Sequence, residues 1–170
     1  MEEFLIVDGY NIINNWPNLA ELKDHNLEHA RDKLLETLQN YAAYKNIKII
    51  LVFDAHLSES KMRSSYLENG VEVIYSKKGE TADMVIEKII DCMPPRSKVI
   101  VATSDWAEQR LVMGKGALRM PARELYYKVQ SAEKNIKKTI EKTKKKSSSL
   151  LEAQLEEEVR KKLEAWRRKS

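Results

Sequence analysis

The chain begins its first predicted strand with Phe4-Leu-Ile-Val-Asp-Gly-Tyr-Asn11, in which four apolar residues are followed by an acid and a glycine. The apolar run predicts a buried strand, and the Asp-Gly pair predicts a turn at its carboxyl end. Because two acids precede the run and no basic segment does, it is not typical of a signal peptide. No stretch approaches the roughly 18 apolar residues of a membrane span. The sequence therefore predicts a cytoplasmic protein with no membrane partner.

Further apolar patterns extend this start into an α/β fold. Apolar runs predict strands over 47–53, 71–75 and 99–102, with a short last strand near 117–118. The 71–75 strand alternates polar and apolar residues, so we expect it to be more exposed and at a sheet edge. Apolar residues at helical spacing predict helices over 27–42 and 82–90. Strands that alternate with helices favour three layers, in which helices cover both faces of a central, mainly parallel sheet.

The C-terminal part of the chain differs in charge from the rest. Residues 1–118 carry 14 Lys and Arg against 18 Asp and Glu, whereas residues 119–170 carry 16 against 8. Apolar spacing predicts helix from about 122 onward, with a break at Ser147-Ser-Ser149 that would give more than one basic helix. We therefore expect a domain over 1–125 and a basic helical extension over 126–170, packed on the domain or continuous with it. This extension is either a solvated tail or a surface that contacts a polyanion.

Acidic side chains follow several of the predicted strands. Asp8 follows the first strand, Asp54 the second, and Asp105 the strand at 99–102, while Asp83 lies in the first turn of a helix. Because ligands bind outside the carboxyl ends of strands in open α/β sheets, we expect these acids to meet at one edge. An Asp at a helix start is by itself ordinary capping, which is the simpler interpretation of Asp83 or Asp105 taken alone. The joint pattern instead favours a cation site, because clustered carboxylates repel one another without one.

The predicted site contains oxygen ligands, which suit Mg²⁺ or Mn²⁺. Such a site supports in-line phosphodiester hydrolysis, since the metal activates water and neutralises phosphate charge. We predict that Asp8, Asp83 and Asp105 are the catalytic metal ligands. Glu80, just before the helix, is predicted to hold a water or a second metal. Three further residues are predicted to support the site: Asn11, Ser104 and Asp54.

These motifs, taken in order, resemble the NYN domain of the PIN-like nuclease superfamily. They are Val7-Asp-Gly-Tyr-Asn11, Val52-Phe-Asp54, Glu80-Thr-Ala-Asp83 and Thr103-Ser-Asp105. The segment 114–124 extends the resemblance to the YacP-type branch of that family, and the likeness covers nearly the whole chain. It implies a PIN-like fold, dependence on Mg²⁺ or Mn²⁺, and an endoribonuclease that cleaves mRNA on translating ribosomes. By position, it also implies that Asp8, Asp83 and Asp105 are the acidic metal-site residues.

Basic residues that follow the predicted catalytic edge are candidates for RNA contact, because Lys and Arg contacts to phosphate dominate such affinity. Arg119, Arg123 and Lys128 are predicted to hold the substrate. Lys134, Lys137 and Lys138 begin a run of seven lysines up to position 146 that is predicted to hold ribosomal RNA. Tyr126 and Tyr127 offer stacking surfaces for unpaired bases, although one of the two is expected to pack in the core.

Two other classes of function compete with a nuclease. The first is a non-catalytic RNA- or ribosome-binding module, which gains nothing from clustered carboxylates and should not bind Mn²⁺. The second is a phosphatase or a dinucleotide-binding domain. A haloacid-type phosphatase requires an Asp where Tyr10 stands, and no G-x-G-x-x-G follows the first strand.

Overall fold

The computed structural model describes residues 1–55 and 64–169. Its strands are β1 (Glu3–Asp8), β2 (Lys48–Phe53), β3 (Ser64–Glu68), β4 (Val71–Tyr75), β5 (Lys98–Ala102) and β6 (Leu118–Met120). Its helices are α1 (Gly9–Asn15), α2 (Pro17–His25), α3 (Leu27–Lys45), α4 (Ala82–Asp91), α5 (Trp106–Gly114) and α6 (Ala122–Lys169). Helices separate β1 from β2 and β4 from β5, as the sequence predicts, and α5 separates β5 from β6.

One six-stranded sheet runs through the structure in the order β3-β4-β2-β1-β5-β6. Every pairing is parallel except that of β3 with β4. The predicted α/β fold with a central, mainly parallel sheet is therefore confirmed. In the register, Val7 is opposite Ala102, and Ala102 is opposite Met120. The carboxyl ends of β1, β5 and β6 thus lie in one row, which Asp8 directly follows.

The position predicted for the 71–75 strand is wrong. We expected an exposed edge, but β4 lies between β2 and β3, and β3 forms the edge. The sequence holds the signal for this missed hairpin, because Asn69-Gly70 joins the two strands and both residues have positive φ, at 47° and 83°. Two left-handed residues between paired strands are typical of a tight hairpin turn.

The alternating side chains of β1 divide the core between the two faces of the sheet. Leu5 and Val7 pack with α1, α2, α3 and the start of α6. Phe4 and Ile6 pack on the other face, with α4 and α5. Because successive side chains of a strand point to opposite faces, an uninterrupted apolar run is needed in a strand that is covered on both. The arrangement has three layers.

Trp16 fixes the helical layer around the start of α6. Its side chain is 2% exposed, and its indole Nε1 donates a hydrogen bond to the carbonyl of Ala122 over 2.9 Å. Its ring also contacts Tyr126, with centroids 5.5 Å apart. Tyr126 packs against the core, whereas Tyr127 is 54% exposed. The expectation that one of the two tyrosines is a packing residue is confirmed.

The predicted helix break at Ser147-Ser-Ser149 is wrong, because α6 is one helix over Ala122–Lys169. The basic C-terminal extension therefore belongs to one helix, where the sequence predicted more than one. Serine costs a helix only a few tenths of a kcal/mol relative to good formers, and no Gly or Pro lies nearby.

By its contacts, the chain forms two compact units, Met1–Ala132 and Glu133–Ser170. None of the described helices is long and apolar enough to cross a bilayer.

Candidate metal centre

Three carboxylates meet at the carboxyl edge of the sheet. Asp8, Asp83 and Glu108 each offer an oxygen, and these oxygens lie within 4.8 Å of one another. Asp8 and Asp83 are partly buried, and Glu108 is only 1% exposed. Two of the three are acids predicted from the sequence, and the third is not.

Each carboxylate is positioned by the start of a helix. Asp8 ends β1 directly before α1. Asp83 lies in the first turn of α4, whose N-cap Thr81 accepts a hydrogen bond from the Met84 amide over 3.2 Å. Glu108 lies in the first turn of α5. A helix N-terminus favours negative charge, so the three helix starts partly offset the repulsion among the acids.

The ionised form of Glu108 is disfavoured by its surroundings. Its Oε2 accepts a hydrogen bond from Thr103 Oγ1 over 3.1 Å. Its buried Oε1 accepts no hydrogen bond from the residues that the structure describes. Burial, and then the neighbouring charge of Asp8, raise the pKa of Glu108 to about 10. Without a cation, Glu108 therefore keeps a proton at neutral pH.

Burial is also the largest cause that raises the pKa of Asp8. The charges of Asp83 and Asp105 raise it further, while the Glu108 side chain and the backbone of Asn11 act in the opposite direction. Two adjacent acids with raised pKa values indicate a site that lacks positive charge. A divalent cation supplies that charge, and carboxylate oxygens are the ligands that Mg²⁺ and Mn²⁺ prefer. The donor set, with the unsatisfied Glu108 Oε1, thus fits such an ion held by Asp8, Asp83 and Glu108.

The raised pKa of Glu108 predicts how stability depends on pH in the metal-free protein. Because the folded state holds the proton more tightly than the unfolded state, this contribution is fully present below the ordinary value of 4.5 and is lost as pH rises toward about 10. The free energy of unfolding should fall with pH by at most about 1.4 kcal/mol per unit. Urea melts in EDTA between pH 6 and 9 test this, and saturating Mn²⁺ should flatten the dependence. A metal-free stability that increases with pH would contradict it.

The other predicted ligands lie outside the three-carboxylate group. Asp105 is exposed and caps α5, where its Oδ1 accepts hydrogen bonds from the amides of Ala107, at 2.9 Å, and Glu108, at 3.4 Å. Its charge acts on Asp8 from there. Glu80 is 5% exposed and forms an ion pair with Lys88 Nζ at 3.2 Å. The structure therefore gives Glu80 a local ion pair, and it places Asp105 beside the group as a helix cap.

The predicted supporting residues connect the site to its surroundings. Asn11 Oδ1 accepts a hydrogen bond from the Ser104 amide over 2.7 Å, which ties α1 to the loop after β5. Ser104 Oγ in turn accepts one from the Ala122 amide over 3.1 Å. Asp54 is half-buried after β2 and does not belong to the group of three. Asn11 and Ser104 thus tie together the start of α1, the loop after β5 and the start of α6.

The predicted RNA-binding residues lie on the surface. Arg119 lies in β6, and Arg123 and Lys128 lie in the first turns of α6. The Arg123 guanidinium donates to the Tyr127 hydroxyl over 3.1 Å and 3.2 Å, and Lys128 pairs with Glu124 at 3.8 Å. In the other compact unit, Lys134, Lys137 and Lys138 are all exposed on α6.

Sequence reasoning missed Glu108, although a signal for it exists. The Asp105–Glu108 spacing is also that of a capping box, in which the Glu side chain turns back to the cap. The structure instead has this side chain buried against Thr103 and the acids. A glutamate that follows a strand by one helical turn is within reach of the same edge as an aspartate at the strand end.

Comparisons with known proteins agree with the fold. A family model described as the YacP-like NYN domain matches residues 5–168. The protein YacP of Bacillus subtilis (strain 168) is 41% identical over 167 residues, which cover 98% of this chain and 97% of that relative. The crystal structure of Rae1 (YacP) from Bacillus subtilis matches with a TM-score of 0.75 over 97% of this chain and 94% of that chain. A mutant of the same protein, also 41% identical, matches with a TM-score of 0.71 over 82% and 81%.

Proposed function

Because the chain belongs to the YacP-like NYN domain family, we propose that it is an endoribonuclease that depends on Mg²⁺ or Mn²⁺ and cleaves mRNA on the translating ribosome. The NYN domain is a PIN-like nuclease domain, so phosphodiester hydrolysis is the reaction class that the family indicates. Because translated mRNA is found in the cytoplasm, the protein is proposed to act there. The finer parts of the proposal, which are the metal, the RNA and the ribosome, rest on the residues of this chain.

One observation carries the proposal, namely the group of Asp8, Asp83 and Glu108 with its buried glutamate. A protein that only binds RNA gains nothing from three adjacent carboxylates, because they repel phosphate and each other. An enzyme gains a cation site from them. When bound, Mg²⁺ or Mn²⁺ neutralises charge on the phosphate and lowers the pKa of a coordinated water.

The chain's own residues then hold and orient the reacting groups. Asp8, Asp83 and Glu108 bind the cation, and Thr103 keeps the Glu108 carboxylate in one orientation through its hydroxyl. Asn11 fixes the Ser104 backbone beside the group. Arg119 lies on β6, the strand that pairs with β5, and contributes positive charge for the RNA backbone near this edge.

The association with the ribosome is supported by the charge of α6. Seven lysines lie between Lys134 and Lys146, and the described side chains of this stretch are almost all exposed. An exposed basic helix favours a polyanionic partner, and ribosomal RNA is the polyanion that an mRNA nuclease meets during translation.

The test is cleavage of an mRNA in a reconstituted translation system with Mg²⁺, compared with the same mRNA without ribosomes. The wild-type protein should cut the translated mRNA, and Asp8→Asn and Asp83→Asn should not, which also excludes a contaminating nuclease. Equal cleavage of naked mRNA would show a general endoribonuclease and contradict the ribosome dependence.

A non-catalytic binding module remains the competing function, and the same variants separate it from a nuclease. If wild type and Asp8→Asn give no cuts under either condition, and Mn²⁺ leaves the melting temperature unchanged, the nuclease proposal is wrong. A cation that binds only the folded state must raise the melting temperature of the wild type.

A further inference from the structure

Trp106 is a large aromatic side chain exposed beside the candidate metal centre. It is the first residue of α5, directly after Asp105 and two positions before Glu108. Its side chain is 66% exposed, although tryptophan is largely buried on average. Core packing of α5 depends on other residues, such as Val112, which is fully buried. The folding of the domain therefore does not account for an indole at this position.

Arg119 lies against this indole in a defined position. Its guanidinium carbon is 6.0 Å from the centroid of the Trp106 ring, and its Nη1 donates a hydrogen bond to Gln109 Oε1 over 3.2 Å. Gln109 is buried and donates from Nε2 to the Thr103 carbonyl over 2.6 Å. Thr103 also donates from its hydroxyl to Glu108. A short chain of hydrogen bonds thus fixes Arg119 relative to the carboxylates.

The register of the sheet places this pair on the catalytic edge. Arg119 precedes Met120, which is opposite Ala102 in β5, and Ala102 is opposite Val7 in β1. Asp8 follows Val7 directly. Arg119 is level with Val101 and Ile6, so two interstrand spacings of roughly 4.8 Å and two residues of about 3.3 Å along the strand separate it from Asp8 by about 12 Å. That distance is on the order of one to two nucleotides of RNA.

We infer that Trp106 and Arg119 form a nucleotide-binding subsite next to the carboxylate group, in which an unpaired base stacks on the indole and the guanidinium contacts the adjoining phosphate. This inference rests on the proposed function, since it names how single-stranded RNA is held at that site. An exposed aromatic ring stacks on any base, and an adjacent arginine selects for phosphate. Base-paired RNA has no free base face to offer, so the subsite selects single strands.

The first test is binding of a fluorescein-labelled, single-stranded RNA to the full chain carrying Asp8→Asn, so that cleavage does not interfere. Trp106→Ala should weaken binding about 5- to 100-fold, and Trp106→Phe should retain most of the affinity because it keeps a ring. Met113→Ala is the matched control, because Met113 is an apolar residue of α5 that is 58% exposed. It should bind RNA like its parent.

Tryptophan fluorescence reports on stacking itself. In a Trp166→Phe background the remaining indoles are Trp106 and Trp16, and Trp16 is buried. Single-stranded RNA should quench the emission, and Trp106→Phe should abolish this quenching. Arg119→Gln should weaken binding and lower the slope of log Kd against log salt by about 0.7, the value for one phosphate contact to a single strand.

Unchanged affinity in Trp106→Ala, or equal quenching with and without Trp106, would overturn the inference. If Trp106→Ala does not fold, the quenching measurement with Trp106→Phe decides the question. The proposed function fails separately: if single-stranded RNA binds and quenches but the wild-type chain cleaves no mRNA even in the translation system, the subsite is supported and the nuclease is contradicted.

Discussion

Glu108→Gln is expected to slow RNA cleavage about 1000-fold and to raise the melting temperature of the metal-free protein at pH 8 by roughly 4–8 °C. The loss of cleavage follows because glutamine is neutral and is a poor ligand for Mg²⁺. It should equal the loss in Asp8→Asn, since both remove one oxygen ligand from the same group.

The gain in stability has a separate cause. Glu108 is 1% exposed, and its pKa is raised to about 10 by burial and by Asp8. Folding at pH 8 must therefore place a proton on a side chain that is ionised in the unfolded chain, which costs on the order of 2 kcal/mol or more. A glutamine avoids this cost, accepts the hydrogen bond from Thr103, and directs its amide toward the acids.

Thermal melts in EDTA and in Mn²⁺, together with single-turnover cleavage, measure both effects. Mn²⁺ should stabilise the wild type but not Glu108→Gln. Glu80→Gln is the contrasting variant, because Glu80 is also buried but pairs with Lys88 away from the group. It should be less stable than the wild type and should retain its response to Mn²⁺. A Glu108→Gln protein that is destabilised, or that is still stabilised by Mn²⁺, would show that the group does not hold the cation.

Gly9→Ala is expected to destabilise the protein by about 1–3 kcal/mol and to abolish cleavage, although alanine normally stabilises a helix. A Cβ at Gly9 would overlap with the ring of Phe53 and lie 2.5 Å from its Cδ1. Phe53 is 1% exposed and packs between Tyr10, at 5.0 Å, and Tyr75, at 5.4 Å. Because the ring has no space to move into, the backbone of Gly9 must shift, and Asp8 shifts with it.

The matched control is Gly114→Ala at the end of α5. Among the described residues, no atom outside its own stretch of helix lies within 4 Å of the position that its Cβ would occupy, and the residue is not among those with positive φ. It should be neutral or stabilising by up to about 1 kcal/mol. Adding Phe53→Leu to Gly9→Ala should recover part of both stability and cleavage. If Gly9→Ala behaves like Gly114→Ala in melts and in cleavage, close packing at Gly9 does not position Asp8.

Much of the fold could be predicted from local patterns. Every residue of the run Phe4–Val7 is apolar, so both faces of the strand are apolar. Such a strand is stable only where both faces of the sheet are covered. Apolar spacing predicted α3 and α4. The place of β4 was missed, because strand order depends on which neighbours pair with it. The predicted break at Ser147 was wrong because serine weakens a helix too little to end it.

Two of the three carboxylates in the group could likewise be predicted. Asp8 was predicted because it follows a strand. Asp83 was predicted because it lies in the first turn of a helix that begins at the same edge of the sheet. Asp105 and Glu80 have the same sequence features as Asp8 and Asp83, yet in the structure Asp105 caps a helix and Glu80 forms an ion pair. A carboxylate near a strand end has several possible partners, and the sequence does not show which one it meets.

By itself, the sequence determined the layers of this protein, the parallel direction of its central strands, and the edge at which its acids collect. Each of these depends on the periodicity and order of residues along the chain. Only the tertiary structure decided that Glu108 completes the group with Asp8 and Asp83, and that Arg119 lies over Trp106. The group of three joins elements that are distant in the sequence, and burial there raises the pKa of Asp8 and of Glu108, so this chemistry exists only after the chain has folded.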